Sequence, residues 1–493
     1  MNRPRSLAAA VRAAVFIFLI SAGCAHQSAH ERSSTRPSVT PTTQPSATLR
    51  LEATDIRPMY RELLAIDLPT VTRVALSQSI DIQQAKERVE ANRGRYEASV
   101  QALLPIITPN FAFTHLEGVN QNANGTLVST NFNNILPAIT LQWLVNPGRS
   151  YYDIVASKRR LEASTQQAQA SELETLRTAA AKYYDLVLAQ ARIGVAQKSV
   201  AEGEEALRLT GIRMRAGTGL PADELSTRAS LALRRQDLLL AVNQFYQASL
   251  ALTLTLHLDP LVTLVPSPTQ IQQTMLVRDD LKIEEMLAIA VQHRPDLEAA
   301  RTLLAAAKAD KNAVVWGALG PQLQAAYTFG GIGTDGRFAD TGIHEQQRGS
   351  ASVGFAFGAS TFGNVKTAGA TVRSVALEVE RRLDEVRVQV IAAQQASLTH
   401  AAIIPIAREQ VDSAEEALRL SQVNLKQGTM LLDDVLRSED LLDSARLRYA
   451  GAVLRYNQSQ VSLLAALGLL ENRTLLPTTH PAQTTTSATS QPE

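Results

Sequence analysis

Glu204-Glu205-Ala206-Leu207-Arg208-Leu209 returns as Glu415-Glu416-Ala417-Leu418-Arg419-Leu420, and Gly217-Thr218 returns as Gly428-Thr429. Both pairs fall at one offset, 211 residues (415 less 204), without a gap. Beyond the first glycine, Leu231, Leu238, Phe245 and Leu252 recur every seventh residue, and at the same offset stand Leu442, Tyr449, Tyr456 and Leu463. A seven-residue apolar repeat keeps its stripe against a partner only when helices supercoil left-handedly. Each copy therefore reads as a helix, a glycine turn and a returning helix, packed as an antiparallel coiled coil, and the chain as an internal two-fold repeat.

Outward from the first turn, no proline interrupts residues 151 to 216, and Leu173, Leu176, Ala180, Tyr183, Val187 and Gln190 step by three and four. About 65 helical residues at 1.5 Å each reach roughly 100 Å, too long for a globular domain. The return helix runs from Asp223 to about Leu258, where Asp259-Pro260 stops it. Further upstream, a helix from Thr70 to Leu103 ends at Pro105. The period then changes to two. Phe111 and Phe113 alternate with Asn110, Ala112 and Thr114, and Ile135, Ile139, Leu141 and Trp143 share one face of a second run. These spell strands over about 106–115 and 135–145, joined by a polar loop over 116–134 that contains Asn124-Gly125.

The second half repeats the order. Pro266 and Pro268 mark a linker, a short helix spans 281–292, and Pro295 opens another that reaches about Leu319. Strands follow over about 322–329 and 351–358, separated by a Gly-rich loop from Gly330 to Gly349. A long helix from about Asn364 to Gln427 contains Pro405, and the second tip returns it through Asp434 to about Leu470. The expected fold class is thus mainly α with a small β part: long antiparallel coiled-coil helices and four strands per chain. The expected repeats are 55–265 and 266–472.

Composition narrows the function. Of the 493 residues 45% are apolar but only 5% aromatic, which suits close-packed helices rather than a thick globular core. A formal net charge of +1 and the lack of a Lys/Arg run argue against nucleic acid. The single cysteine, Cys24, excludes an internal disulfide or cysteine metal site. It follows Arg3, Arg5 and Arg12, an apolar run from Ala13 to Ile20, and small residues, the pattern of a secretory signal over 1–23. Ser21-Ala22-Gly23-Cys24 resembles a bacterial lipobox, which implies lipid attachment at Cys24; Ser21 stands where lipoboxes carry Leu, so plain signal cleavage near Gly23 is the other reading. By the same resemblance Ala25 favours the outer membrane. Residues 24–54 read as a disordered, lipid-anchored tether and 473–493 as a disordered tail, both rich in Ser, Thr, Pro and Gln.

Four amphipathic strands cannot close a barrel alone, and a bilayer tolerates no open edge. Three copies would supply twelve strands, a number within the range of outer-membrane barrels. A soluble sheet covered by helices is the alternative. The order helix, strand, loop, strand, long helix, glycine tip and return helix, given twice, resembles the TolC-like outer membrane factor family. So does Gly428-Thr429-Met430-Leu431-Leu432-Asp433-Asp434-Val435-Leu436, where an Asp-Val-Leu follows the glycine by six residues.

The resemblance implies a homotrimer with a 12-stranded transmembrane β-barrel continued by an α-barrel. It further implies a passive duct in the outer membrane, its helices in the periplasm, working with a periplasmic adaptor and an inner-membrane pump to export small molecules, metals or proteins. A non-conducting coiled-coil scaffold lipoprotein is the rival.

At the tips, Gly217 and Gly428 supply left-handed turn residues, and by resemblance Gly217, Thr218, Gly428 and Thr429 meet the adaptor. Asp223 and Asp434 have two readings: compensation of a helix dipole in the first turn, or a ring of carboxylates that gates the periplasmic end and selects cations. Family members carry a basic residue two after the glycine and a second aspartate three after the first; here those positions hold Met430 and Arg437. Enzymatic signals are weak. Gly331-Ile332-Gly333-Thr334-Asp335-Gly336 matches a dinucleotide fingerprint but no helix pattern follows, and His344-Glu345-Gln346-Gln347-Arg348 lacks the second histidine of a zinc site. No cofactor, metal site or catalytic residue is expected.

Overall fold

A computed structural model describes residues 49–50, 62–217, 219–267, 270–278, 281–334, 343–355, 358–427 and 429–471. The expected signal segment 1–23, Cys24, Thr218, Gly428 and the tail 473–493 lie outside the described residues.

In chain order the described elements are β1 (Leu49–Arg50), β2 (Glu62–Ile66), α1 (Leu68–Gln78), α2 (Ile80–Gln101), β3 (Ile106–Gln121), β4 (Leu127–Val145), α3 (Pro147–Arg215) and α4 (Pro221–Leu256). There follow β5 (Val262–Pro266), β6 (Gln270–Ile271), α5 (Ile283–His293), α6 (Pro295–Leu319), β7 (Gln322–Thr334), β8 (Ile343–Gly354), α7 (Ser360–Lys426) and α8 (Leu432–Ala466). The fold is mainly helical with a curled sheet. At 69 and 67 residues, α3 and α7 each reach about 100 Å.

Packing follows the seven-residue stripe. Leu231, Phe245 and Leu252 on α4 are buried, as are Leu442, Tyr449, Tyr456 and Leu463 on α8. On α3, Leu176, Ala180, Tyr183, Val187 and Gln190 are buried opposite them. α3 packs against α2, α4, α6 and α8, while α7 packs against α6 and α8. α4 and α7 therefore flank the helical layer. Their outer faces stay apolar and uncovered: Leu239 and Leu254 on α4 are 71% and 74% exposed, Val388 and Ile406 on α7 65% and 66%.

The four long strands form one antiparallel sheet in the order β3-β4-β7-β8, so the two hairpins join through β4 and β7, and β3 and β8 are its edges. The register sorts the faces. Ile107, Phe111, Phe113, Ile139, Leu141, Tyr327, Phe329 and Val353 share one face and are all exposed. Thr108, Asn110, Thr114, Thr140, Gln142, Gln322, Gln324, Thr328, Ser350 and Ser352 share the other.

Several expectations need correction. The first strand pair is longer than 106–115 and 135–145: the expected polar loop over 116–134 is strand on both sides of a turn at Asn122–Thr126, with Gly125 at φ 83°. Its polar side chains bond across the ladder, His115 Nδ1 to Asn133 Oδ1 at 2.9 Å and the Asn120 amide donating to the Thr130 hydroxyl at 2.6 Å. Polar residues on both faces hide a period of two.

In the second pair, 322–329 extends to Thr334, and the strand expected over 351–358 runs from Ile343 to Gly354. Gly330, read as loop, is a strand residue where β4 approaches too closely for a side chain: a Cβ on it would lie 2.4 Å from the Pro137 carbonyl oxygen.

The helix expected over 70–103 breaks at Ser79, whose hydroxyl accepts from the Ile82 N–H at 3.4 Å to start α2. The tether expected through residue 54 is paired at β1, which is antiparallel to β6, and the linker at Pro266 closes β5, parallel to β2. These short strands went unread because two to five residues are too few to show a period.

Candidate functional site

The first tip is built by the end of α3 and the start of α4. Gly217 adopts φ 72°, the left-handed conformation that its sequence position implied, and the Gly219 N–H reaches back to the Arg213 carbonyl at 3.1 Å, so carbonyls orphaned at the helix end are satisfied. Pro221 occupies the first turn of α4, where a missing N–H costs nothing. Asp223 turns back: its carboxylate accepts from the Leu220 N–H at 3.4 Å while its own N–H donates to the Leu220 carbonyl at 3.1 Å. Leu220 has no acceptor to return, so this is one half of a capping box.

At the second tip, the Thr429 N–H and hydroxyl both donate to the Asn424 carbonyl, at 3.0 and 3.1 Å. Asp434 is half-buried in the first turn of α8 and Val435 beside it is buried. Arg437, which replaces an acidic residue of the resembled motif, pairs instead with Asp433 at 2.8 Å. The Ser438 hydroxyl donates to the Asp434 carbonyl at 2.9 Å, as Thr227 does to that of Asp223 at 2.8 Å. The same 211-residue offset relates Glu204–Arg235, paired at 2.7 Å, to Glu415–Arg446 at 2.9 Å.

The two tips lie side by side. A cleft of about 170 Å³ between them is lined by Arg213, Leu220 and Asp223 from one and Met430, Leu431 and Leu432 from the other. The structure thus brings Asp223 to this cleft, whereas Asp434 does not line it.

Sequence reading missed the charged cluster that ties the hairpins together above the tips. Arg234, 5% exposed, donates to Glu439 at 3.1 Å, to Asp440 at 3.0 Å and to the Ser199 carbonyl at 3.0 Å. Burial, countered by Arg234 and reinforced by Glu202, holds the Glu439 carboxyl above its ordinary value. Burial and Glu202 raise that of Asp443 as well. Gly203 leaves room for the cluster, since a Cβ there would lie 3.2 Å from Arg234 Cδ. The signal was present as asymmetry: at the offset of 211, Arg234 maps to Ala445 and Glu439, Asp440 and Asp443 map to Arg228, Ala229 and Ala232. The copies have diverged where they meet.

Along β8, His344 and Glu345 point to opposite faces, an arrangement that cannot present helix-spaced zinc ligands. Among the described residues no group of three or more His, Cys, Asp or Glu could hold a metal ion.

Residues 71–256 match the outer membrane efflux protein family. No curated protein matches the chain. Among solved structures it resembles the outer-membrane channel OprN, with 20% identity and a TM-score of 0.70 over 81% of this chain and 89% of that one. It resembles the outer membrane protein VceC of Vibrio cholerae at 17% identity and TM-score 0.70, over 81% and 96%. It also resembles the CmeC outer membrane channel of Campylobacter jejuni at 16% and 0.71, over 88% and 94%. At these identities the likeness establishes the fold.

Proposed function

We propose, since the chain is an outer membrane efflux protein with the TolC-like channel fold, that three copies close into a passive export duct across the outer membrane. The observation that carries this reading is that both layers end in matching open edges. The sheet ends in β3 and β8, and the helical layer ends in α4 and α7 with exposed apolar faces. Unpaired backbone groups in hydrocarbon cost several kcal/mol each, so a sheet with an apolar band on one face needs partners at both edges along that band.

Three sheets of four strands make twelve. Strands about 4.8 Å apart, tilted by about 40°, then form a cylinder of roughly 12 Å radius, with the apolar face toward lipid and the polar face around water. The long helices continue the passage into the periplasm, where the tips would meet a periplasmic adaptor and, through it, an inner-membrane pump. The cargo is small molecules, metals or proteins. Energy comes from the pump, and this chain contributes no chemistry. Cys24, acylated, would anchor the N-terminus beside the barrel.

At the narrow end we assign Asp434 to a ring of three carboxylates that favours cations and helps hold the tips closed, and Asp223 chiefly to capping. Conductance of the purified protein in planar bilayers tests the duct. Openings that grow or lose cation preference in Asp434→Ala support both statements; openings untouched by that change retain the duct and reduce Asp434 to a dipole partner. A folded trimer that never conducts and never inserts would favour the scaffold.

A further inference from the structure

The segment His344–Arg348, read first as a failed zinc motif, acquires a position from the sheet register. Arg348 lies opposite Thr328, Thr328 opposite Thr140, and Thr140 opposite Thr108, one row across all four strands. The row belongs to the polar face, and the Thr140 and Thr328 hydroxyls are 3.2 Å apart within it. The rows on either side, on the opposite face, include Pro109, Ile139 and Phe329, and Ile107, Leu141 and Tyr327. Arg348 therefore stands at the depth of the apolar band on β4 and β7.

A charge at that depth is tolerated only where it meets water or a counter-charge. Within the described strands the polar face carries no carboxylate: its ionisable groups are His344 and Arg348, while Glu117 and Glu345 lie on the other face. A neighbouring copy does not change this, because the edge that would meet β8 is β3, whose polar face holds Thr108, Asn110, Ala112, Thr114, Leu116, Gly118 and Asn120.

Resting on the duct reading above, we infer that Arg348 is a charge-selecting residue of the barrel, three guanidiniums projecting from the polar face into the lumen to favour the passage of small anions. A backbone radius of roughly 12 Å, reduced by the side chains themselves, puts the whole lumen within about one Debye length of the three charges at 0.1 M salt, about 10 Å. The outer part of the duct then opposes the carboxylates at the periplasmic tips, and the two ends filter charge independently.

The test uses Arg348→Cys in the full-length protein, whose only other cysteine is Cys24. Reversal potentials are measured in bilayers under a KCl gradient before and after a positively charged and a negatively charged methanethiosulfonate, with the unsubstituted protein as control. A shift of the reversal potential toward cation preference in Arg348→Cys, its return toward the unsubstituted value with the cationic reagent and a further shift toward cation preference with the anionic one are expected. Both reagents act on folded protein, so misfolding cannot imitate the pattern. Conducting channels whose reversal potential ignores substitution and both reagents would overturn the assignment while leaving the duct intact. Absence of conductance from every folded trimer, the unsubstituted one included, would overturn the duct and Arg348's role with it.

Discussion

Arg234 on α4 lies 3.1 Å from Glu439 on α8, with their side chains only 5% and 11% exposed, so the first hairpin is joined to the second by a charge pair sealed from water. Removing one member strands the other. Arg234→Ala is expected to destabilise the helical region by about 3–5 kcal/mol, whereas Arg234→Met combined with Glu439→Leu should cost far less, because a buried pair gains little over well-packed apolar groups. Thermal unfolding of the two variants, followed by circular dichroism, checks the order.

The same cluster makes stability depend on pH. Glu439 and Asp443 are held above their ordinary 4.5 and 3.8, chiefly by burial, with Glu202 adding to it and Arg234, Arg446 and Ser199 opposing. The folded state then binds more protons than the unfolded one, so stability rises as pH falls from neutral toward those ordinary values and declines as pH rises through the raised ones. Glu174, held low chiefly by its hydrogen bond to Arg177, acts in the opposite sense, its contribution being lost only as pH falls below the ordinary 4.5. Unfolding temperature should rise on mild acidification, and Glu439→Gln should flatten the slope.

Gly330 pairs with Ala138 in the seam between the two hairpins. A methyl group there would sit 2.4 Å from the Pro137 carbonyl oxygen, with Ala138 Cβ at 2.8 Å. Gly330→Ala should force β4 and β7 apart at a cost of about 1–3 kcal/mol and lower the temperature at which the oligomer dissociates on a gel.

Asp223 and Asp434 should separate in behaviour. Asp223→Ala loses the bond to the Leu220 N–H and the favourable end of a helix dipole, about 0.5–1 kcal/mol, with little change in conductance. Asp434→Ala should change conductance with little change in stability. Measuring unfolding and conductance on both variants distinguishes the roles.

The two faces of the sheet should tolerate charge unequally. Phe111→Arg places a cation toward lipid at a cost of about 2–4 kcal/mol near mid-bilayer, and Thr140→Arg places one toward water. Yield of protein inserted in outer-membrane fractions should fall for the first and hold for the second.

What the sequence disclosed follows from period. The seven-residue stripe through Leu231 and Leu252, and its echo through Leu442 and Leu463, was legible because it repeats over five turns and more, and those residues are buried. The strands were legible only where apolar residues line one face. Past Phe113 the two apolar residues, Leu116 and Val119, fall on opposite faces among polar ones, so the continuation to Gln121 left no alternation to read. Gly330 looked like a loop because its reason, the Pro137 carbonyl, lies 193 residues away (330 less 137). The Arg234 cluster depends on α4 meeting α3 and α8, contacts that no local pattern encodes. Gly217 was readable because a left-handed turn is a property of one residue.

The central claim is that the sheet closes through its edges, and amide hydrogen exchange on β3 in the detergent-extracted oligomer tests it most directly. Within one chain, only the groups of β3 that face β4 are paired. If β8 of a neighbouring copy completes the barrel, every non-proline amide from Ile106 to Thr114 should be protected. Protection restricted to alternate residues, with the outward-facing amides exchanging as freely as solvent allows, would leave the edge open and contradict a trimeric duct.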